Sequence, residues 1–581
     1  MAREEYPDPQ FERKNYRSLN GIWQFEIDNE KSGMQRGLLQ KDLQMKIEVP
    51  FCPESELSGV AYKGDINCCW YKKRFTLAKK ELEGRAVIRF GAADRTAQVY
   101  LNGHYLGEHT GGYTPFSFEL NRYAAVGENE VALVVCDDLR NGVPHGKQTD
   151  RDHSYGCFYT RTTGIWQSVG LEFTPENYIK RVRFFPNVAE CRVEIEAATE
   201  GEGEVSAEVF YGGKPVGRGS AVSKGNCRFA VALSEKHLWE IGEGRLYDVR
   251  LTFGEDEVKS YFGLREVRYD GMRFLLNGKS VFQRLVLDQG FYPDGIYTAP
   301  SADAFARDIG LARRLGFNGM RLHQKVFEPR YLYECDRAGM IVWGEYADWG
   351  VSHGDALRAG AFLAEWSEAV ARDFNHPCIV TWCPLNEAWT EFANRNILRD
   401  AAFLKAVYRY TKALDPTRPC VDASGGYHTD ETDLADFHCY AGSAELKKHI
   451  SALEEGDVFP PNNYAEGDIY IYKKGMPVNC SEYGGIAFDV GGKMHDGHSS
   501  SGDVWGYFKE SDAGAFAEEY CRQAEILLSS KKLSGLCYTQ LYDVEQECNG
   551  LYLYDRSPKF GEALTERMAA CMRMPAEIEK E

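Results

Sequence analysis

Past about residue 270 the chain changes its rhythm, and that change limits the fold more than any other feature. Short apolar runs now alternate with stretches of helical spacing: "SVFQRLVLD", "FNGMRLH", "GMIVWGEY", "CIVTWCPLNE", "PCVDAS", "DFHCY", "PVNCSEYG" and "LSGLCYTQLYD". After the first run, "SADAFARDIGLARRLG" sets Phe305, Ile309, Ala312 and Leu315 at helical intervals, with Ser301 as a cap and Gly316 as a stop. Eight strand candidates separated by helices, within about 270 residues, match the size of a (β/α)8 barrel. A C-terminal TIM barrel over residues 267–581 is therefore predicted.

Upstream the punctuation differs. "GIWQFEID", "WYKKRFTL", "AVIRFGAA", "AQVYLNGHYLG" and "NEVALVVCDD" alternate apolar and polar residues between Gly, Asn and Asp turns. That pattern predicts β-sandwiches rather than βα units. The strand–turn rhythm restarts after Pro175, so two sandwiches are expected, over 1–175 and 176–266, the second of immunoglobulin-like size.

In (β/α)8 barrels the reactive groups gather at the carboxyl ends of the strands. Each predicted strand fades there into a polar or aromatic residue: Asp288, His323, Glu345, Glu387, His438, Tyr440, Glu482, Tyr538. The sharpest case is "IVTWCPLNEAW", an apolar run that stops at Asn386 and Glu387. Glu387 closes the fourth strand and Glu482 the seventh, so two acids can flank one bond. Glycoside hydrolysis needs such a pair, one acid to protonate the leaving oxygen and one carboxylate to act at the anomeric carbon. A separation of about 5–5.5 Å retains configuration, and about 6.5–9.5 Å inverts it. Trp349, Trp382, Trp389, Tyr440 and Tyr483 offer faces to a sugar ring, and Asn386 a partner for a hydroxyl. Each of these residues also has an ordinary structural reading: a solvated loop acid, a core ring or, for His323 and His438, a core histidine.

The formal net charge of −19 and pI of about 5.3 argue against nucleic acid and anionic membranes as partners. The opening "MAREEYPDPQFERK" lacks the apolar region of a secretory signal, and no stretch approaches the roughly 18 apolar residues of a membrane span. Seventeen cysteines without C-x-x-C spacing, Cys68 and Cys69 adjacent, predict reduced buried thiols in a cytoplasmic protein.

At these residues the chain resembles glycoside hydrolase family 2, which contains β-galactosidases, β-glucuronidases and β-mannosidases. "RSLNGIWQFEID" is similar to the family's opening, "LNGHYLGEHTGGYTPF" to its jelly-roll, sugar-binding-type sandwich, and "RTTGIWQSVGLE" to the end of that sandwich. "DFNHPCIVTWCPLNEAW" resembles the acid/base signature and "PVNCSEYGG" the nucleophile strand. The resemblance implies a retaining exo-β-glycosidase with Glu387 as general acid/base and Glu482 as nucleophile. It also implies Asn386 on the 2-hydroxyl and Tyr440 orienting the nucleophile. No cofactor and no metal are implied; the partner is a small glycoside or oligosaccharide, with a homo-oligomer left open.

The sugar is a separate question. β-Glucuronidases of the family carry Asn-x-Lys, whose lysine meets the substrate carboxylate; here Glu547 and Asn549 occupy those places. A carboxylate facing a uronate is repulsive in a poorly hydrated pocket. The first strand reads "VLDQGFYPDG" where large β-galactosidases have an Asn-Arg-His-Glu-like segment, Tyr538 with Gln540 stands in for their platform tryptophan, and Phe158 replaces an aspartate before "TTGIW". Asp288, Gln289, Gln540 and Glu547 suit neutral hydroxyls, so a β-galactosidase-like neutral glycone is the leading expectation. Its alternative is a β-glucuronidase or β-galacturonidase whose cation comes from Lys325, Arg161 or Arg321. Trp389, His323, Asn549 and Tyr538 complete the expected substrate contacts, and the polar stretch 146–163 is expected to reach the barrel mouth. A catalytically dead carbohydrate-binding protein would lack one acid, and both acids are present.

Overall fold

The computed structural model describes residues 3–137, 142–351, 356–388, 400–425, 428–460, 472–490, 504–510 and 512–580. The first unit is a β-sandwich of two antiparallel sheets. One has six strands, ordered Met45–Val49, Gly21–Ile27, Cys68–Leu77, Gly127–Cys136, Thr96–Leu101, His104–Thr110. The other runs Tyr16–Ser18, Val169–Thr174, Arg85–Phe90, Phe116–Glu119. Alternation puts Phe25, Tyr71, Val99 and Leu133 in its core, while Trp70, Tyr100, Ala132 and Val134 pack in a second, smaller cluster on the other face.

The second unit is built on a long hairpin, Arg192–Tyr211 against Lys214–Ala232. The hairpin loses register between Ala198 and Glu202. Before that break the hairpin's first strand also pairs with Tyr178–Asn187, and after it with Tyr247–Phe253, so one ribbon serves both layers of a small sandwich.

The third unit is the curled parallel sheet of a TIM barrel. Among the described residues seven regular strands order as Ile379–Cys383, Ile341–Glu345, Gly319–Leu322, Gln283–Asp288, Leu533–Thr539, Val478–Gly484, Ala435–Cys439. All seven are buried along their whole length, as strands covered on both faces must be. The first helix runs Ala302–Arg314 with Phe305, Ile309 and Ala312 inward, and Gly316 at φ 90° ends it. Ser301 holds the cap position without a side-chain bond.

The predicted fifth strand, "PCVDAS", is a correction. It survives as two parallel bridges, Trp382 with Cys420 and Asn386 with Ser424. The Asp422 carboxylate accepts from Ala423 N, Thr429 N and the His428 ring, and such local side-chain bonds compete with a regular ladder. The segment still closes the ring, because the Ser424 hydroxyl and Gly425 N reach Asp436 on the sixth strand.

The thiol expectation is also corrected at one pair. Cys521 and Cys571 form a disulfide between helices Ala513–Leu528 and Glu562–Met572, while the other fifteen cysteines are free. Among the described residues no helix is long and apolar enough to cross a membrane.

Candidate active site

Glu482 sits on the seventh strand, Val478–Gly484, with its side chain turned into the barrel. Arg321, from the second strand and completely buried, donates to its Oε1 at 2.8 Å. The Tyr440 hydroxyl donates to Oε2 and stands 3.1 Å from the Thr539 hydroxyl. Burial raises the acid's pKa, but the cations of His438 and then Arg321 outweigh it and hold Glu482 down at about 2.

Glu387 follows the fourth strand in the left-handed region, at φ 49°, a conformation that costs a non-glycine residue free energy. Its amide is tied to Ser424 O at 2.8 Å, so the turn is held from the fifth-strand segment. Burial and then the Glu482 charge raise its pKa, against an opposing contact from His438. Glu387 therefore keeps its proton to higher pH than Glu482 does.

His438 joins the two acids. Its Nδ1 lies 2.7 Å from Glu387 Oε1 and 3.3 Å from Glu482 Oε2. A carboxylate oxygen of each glutamate and a ring nitrogen of His438 all fall within 4.8 Å of one another. Asn386 accepts from Arg321 at 2.6 Å through Oδ1, and its Nδ2 is buried without a partner among the described residues. That leaves the amide NH2 for a ligand hydroxyl.

Below them runs a charged network that the sequence reading did not assemble. Arg321 also donates to Glu345, which accepts from His323 at 2.9 Å and from Gln324 N at 3.1 Å. Burial, more than the opposing Glu345 charge can offset, lowers His323 to about 4, so the ring is neutral near neutral pH. Arg321 and Glu345 were visible as polar residues within or ending apolar strands; their mutual contact was not.

Several expected contacts fall elsewhere. Asp288 is held by the Tyr331 hydroxyl at 2.5 Å, the Tyr542 hydroxyl and Gly290 N at 2.8 Å, which occupies the carboxylate with protein donors. Tyr538 faces Tyr520 of an outer helix and Tyr483 beside it, edge to face, and is no sugar platform. Tyr483 and Trp382 likewise turn outward, the latter onto Asp415 and Trp366. Lys325 spends its ammonium on Gly290 O at 2.5 Å and Tyr297 O at 2.8 Å, and burial lowers it to about 7. Arg161 pairs with Asp65 in the sandwich. Trp389 lies outside the described residues.

The rim brings the remaining residues together. Gln540 donates to Asn549 at 2.8 Å, and Asn549 donates to Glu547 at 2.9 Å. Glu547 also accepts from the Tyr159 hydroxyl, which belongs to the stretch expected to reach the mouth. That stretch is docked: His145 N donates to Trp349 O at 3.0 Å, Gln546 donates to Gly156 O, and Phe158 packs on Trp349. It also carries Lys147, whose Nζ stands 4.0 Å from the centre of the Trp349 ring. The sequence reading missed Lys147, although the length and polarity of its loop marked the region.

Two clusters have donor types that suit a metal, Asp336–His376–Cys378 and Glu387–His438–Glu482. In the first, Asp336 is taken up by Tyr261, His376 and Cys378 N. In the second, a cation would compete with Arg321 and His438 for Glu482.

Two carboxylates this close at a barrel mouth, the pKa of one raised and of the other lowered, define a retaining glycosidase, since an inverting pair stands about 6.5–9.5 Å apart. The chain belongs to glycoside hydrolase family 2: the family's TIM barrel domain matches residues 270–572 and its sugar binding domain residues 60–175. A β-glucuronidase of Mus musculus is 26% identical over 530 residues, 82% of this chain and 78% of that protein. A β-galactosidase of Thermoanaerobacter pseudethanolicus is 26% identical over 439 residues, 68% of this chain and 55% of that protein. Among solved structures, a β-glucuronidase of an uncultured Clostridium sp. superposes with a TM-score of 0.77 at 20% identity, covering 97% of this chain and 99% of that one. The Ruminococcus gnavus β-glucuronidase in complex with D-glucuronic acid gives 0.76 at 19% identity, covering 98% and 99%.

Proposed function

We propose that this retaining exo-β-glycosidase acts on β-linked uronides, releasing a terminal uronic acid from its aglycone. The observation that carries the chemistry is the approach of Glu387, His438 and Glu482 within 4.8 Å. Ionised Glu482 attacks the anomeric carbon while protonated Glu387 gives its proton to the departing oxygen. Water, deprotonated by Glu387, then opens the glycosyl ester, and configuration is retained. Asn386 Nδ2, without a partner among the described residues, holds the 2-hydroxyl through a bond that strengthens in the oxocarbenium-like transition state.

The uronide reading is supported by the β-glucuronidases among the relatives and the similarly folded structures. It displaces the neutral, β-galactosidase-like glycone as the leading expectation. The neutral glycone stays as a second reading because Glu547 and Asn549 replace the Asn-x-Lys pair. A panel of p-nitrophenyl β-glycosides separates the two. Faster release from the glucuronide or galacturonide than from the galactoside and glucoside is expected; turnover confined to the neutral sugars overturns the uronide reading. Proton NMR should show the β-anomer forming first, and an α-anomer would exclude double displacement.

A further inference from the structure

If the substrate is a uronide, its carboxylate needs a cation, and the three obvious ones are occupied. Arg321 is spent on Glu345, Glu482 and Asn386, Lys325 on two carbonyls, and Arg161 on Asp65. Lys147 is different. It is 6% exposed, yet among the described residues its ammonium has no hydrogen-bond acceptor and no ion-pair partner, only the Trp349 ring. Three charged N–H groups without a protein acceptor are left to solvent or to a ligand anion.

The carboxylates nearby do not take this role, because each has its own donors. Glu547 has Tyr159 and Asn549, Glu482 has Arg321 and Tyr440, and Glu387 has His438. Lys147 is still near enough to feel their charge. Burial opposes its charge, but Cys157 and then Glu547, Glu387 and Glu482 hold its pKa above the lysine norm. Burial also raises the pKa of Glu547, against the opposing charge of Lys147.

The loop is anchored as a binding loop must be. Gly146 fits at φ 60° against the barrel, where a Cβ would stand 2.2 Å from Gln324 O. Both His145 N and Gly146 N donate to Trp349 O, and the Trp349 indole donates to Asn386 O at 3.3 Å. Lys147, its aromatic shelf and the backbone preceding the acid/base thus form one connected unit.

We propose that Lys147, delivered by the N-terminal sandwich, is the residue that recognises the carboxylate of the glycone, in place of the family's Asn-x-Lys lysine. This rests on the uronide reading, and the test separates the two. Wild type, K147M and K147R are compared on p-nitrophenyl β-glucuronide, β-galacturonide and β-galactoside, with K147Q as the second variant should K147M fail to fold. The expected result is a wild type that prefers a uronide and a K147M whose uronide-to-galactoside ratio of kcat/KM falls about 100-fold, chiefly through KM. K147R should recover part of that loss. A wild type that prefers the uronide beside a K147M ratio changed less than about threefold overturns the role of Lys147 and leaves the uronide reading standing. A wild type that turns over only the galactoside overturns both.

Discussion

The floor of the barrel and its rim handle charge in opposite ways. On the floor, Arg321 ties Glu345, Glu482 and Asn386 into one network, and Tyr440 and His323 satisfy the remaining acid oxygens. On the rim, Lys147 has no acceptor and Gln540 Oε1 no donor among the described residues. The floor comes from strand ends of one domain; the rim joins a sandwich loop to the segment that follows the eighth strand. Preorganised dipoles and charges are what a reaction step needs. Unspent donors and acceptors are what a selective pocket needs, because a substrate that fails to satisfy them is penalised. Substitutions on the floor should therefore damage chemistry and stability, and those on the rim should change the choice of sugar.

The largest effect expected is at the nucleophile. Glu482→Gln should lower kcat by about 10^4-fold or more on every glycoside, since it removes the covalent step itself. Glu387→Gln should cost about 10^2–10^4-fold on an alkyl glycoside and far less on a dinitrophenyl one, whose departure needs no proton. Equal losses on both leaving groups would deny Glu387 the acid role.

Arg321→Met tests whether the floor carries stability as well as chemistry. It strands Glu345 and Glu482 as buried acids, and breaking such a pair costs about 3–5 kcal/mol, readable as a lower Tm by calorimetry. The same change should move the acid limb of kcat/KM upward. Glu482 is held at about 2 partly by Arg321, a depressed pKa, so its ionised form is lost as pH falls through that value. Without the cation that loss begins at higher pH. The basic limb follows deprotonation of the raised Glu387, and both limbs belong to the coupled pair. A limb unmoved in the variant would show that His438 and the Tyr440 hydroxyl set the nucleophile without Arg321.

Floor residues were the ones readable in the sequence. A strand that runs apolar and then ends in Asn386–Glu387, or in Glu482, advertises a barrel mouth because side chains there have nowhere apolar to go. Parity explains part of what was misread. Tyr538 lies beside Tyr483 in the register, one step from Glu482, so period-2 alternation sends both rings outward to the helices. Asp288 ends its strand as a site residue does, but Tyr331 and Tyr542, distant in sequence, capture it. The fifth strand looked regular only because the competing bonds of Asp422 cannot be read from composition. Lys147 was hidden for a related reason: its meaning depends on Trp349 and Glu547, which belong to another domain.

The smallest effect is the most pointed test of the rim, because it alters no charged side chain. Gly146→Ala adds one methyl at φ 60°, where an L side chain is strained, and sets it 2.2 Å from Gln324 O and 3.2 Å from the Ala347 Cβ. Neither neighbour is the free end of a flexible side chain, so the sandwich loop must yield and carry Lys147 away from its seat over Trp349. Among the described contacts, position 146 meets Gln324 and Trp349, which neighbour the floor, but none of the charged floor groups themselves. Uronide KM should rise about tenfold, equivalent to a shift of about 1.4 kcal/mol in binding, while kcat at saturation changes less than about threefold. Parallel losses in kcat and KM would mean that the loop supports the reacting groups themselves. An unchanged KM with an intact fold would mean that the rim adapts, and selectivity would then have to reside in Glu547 and Asn549 rather than in a fixed lysine.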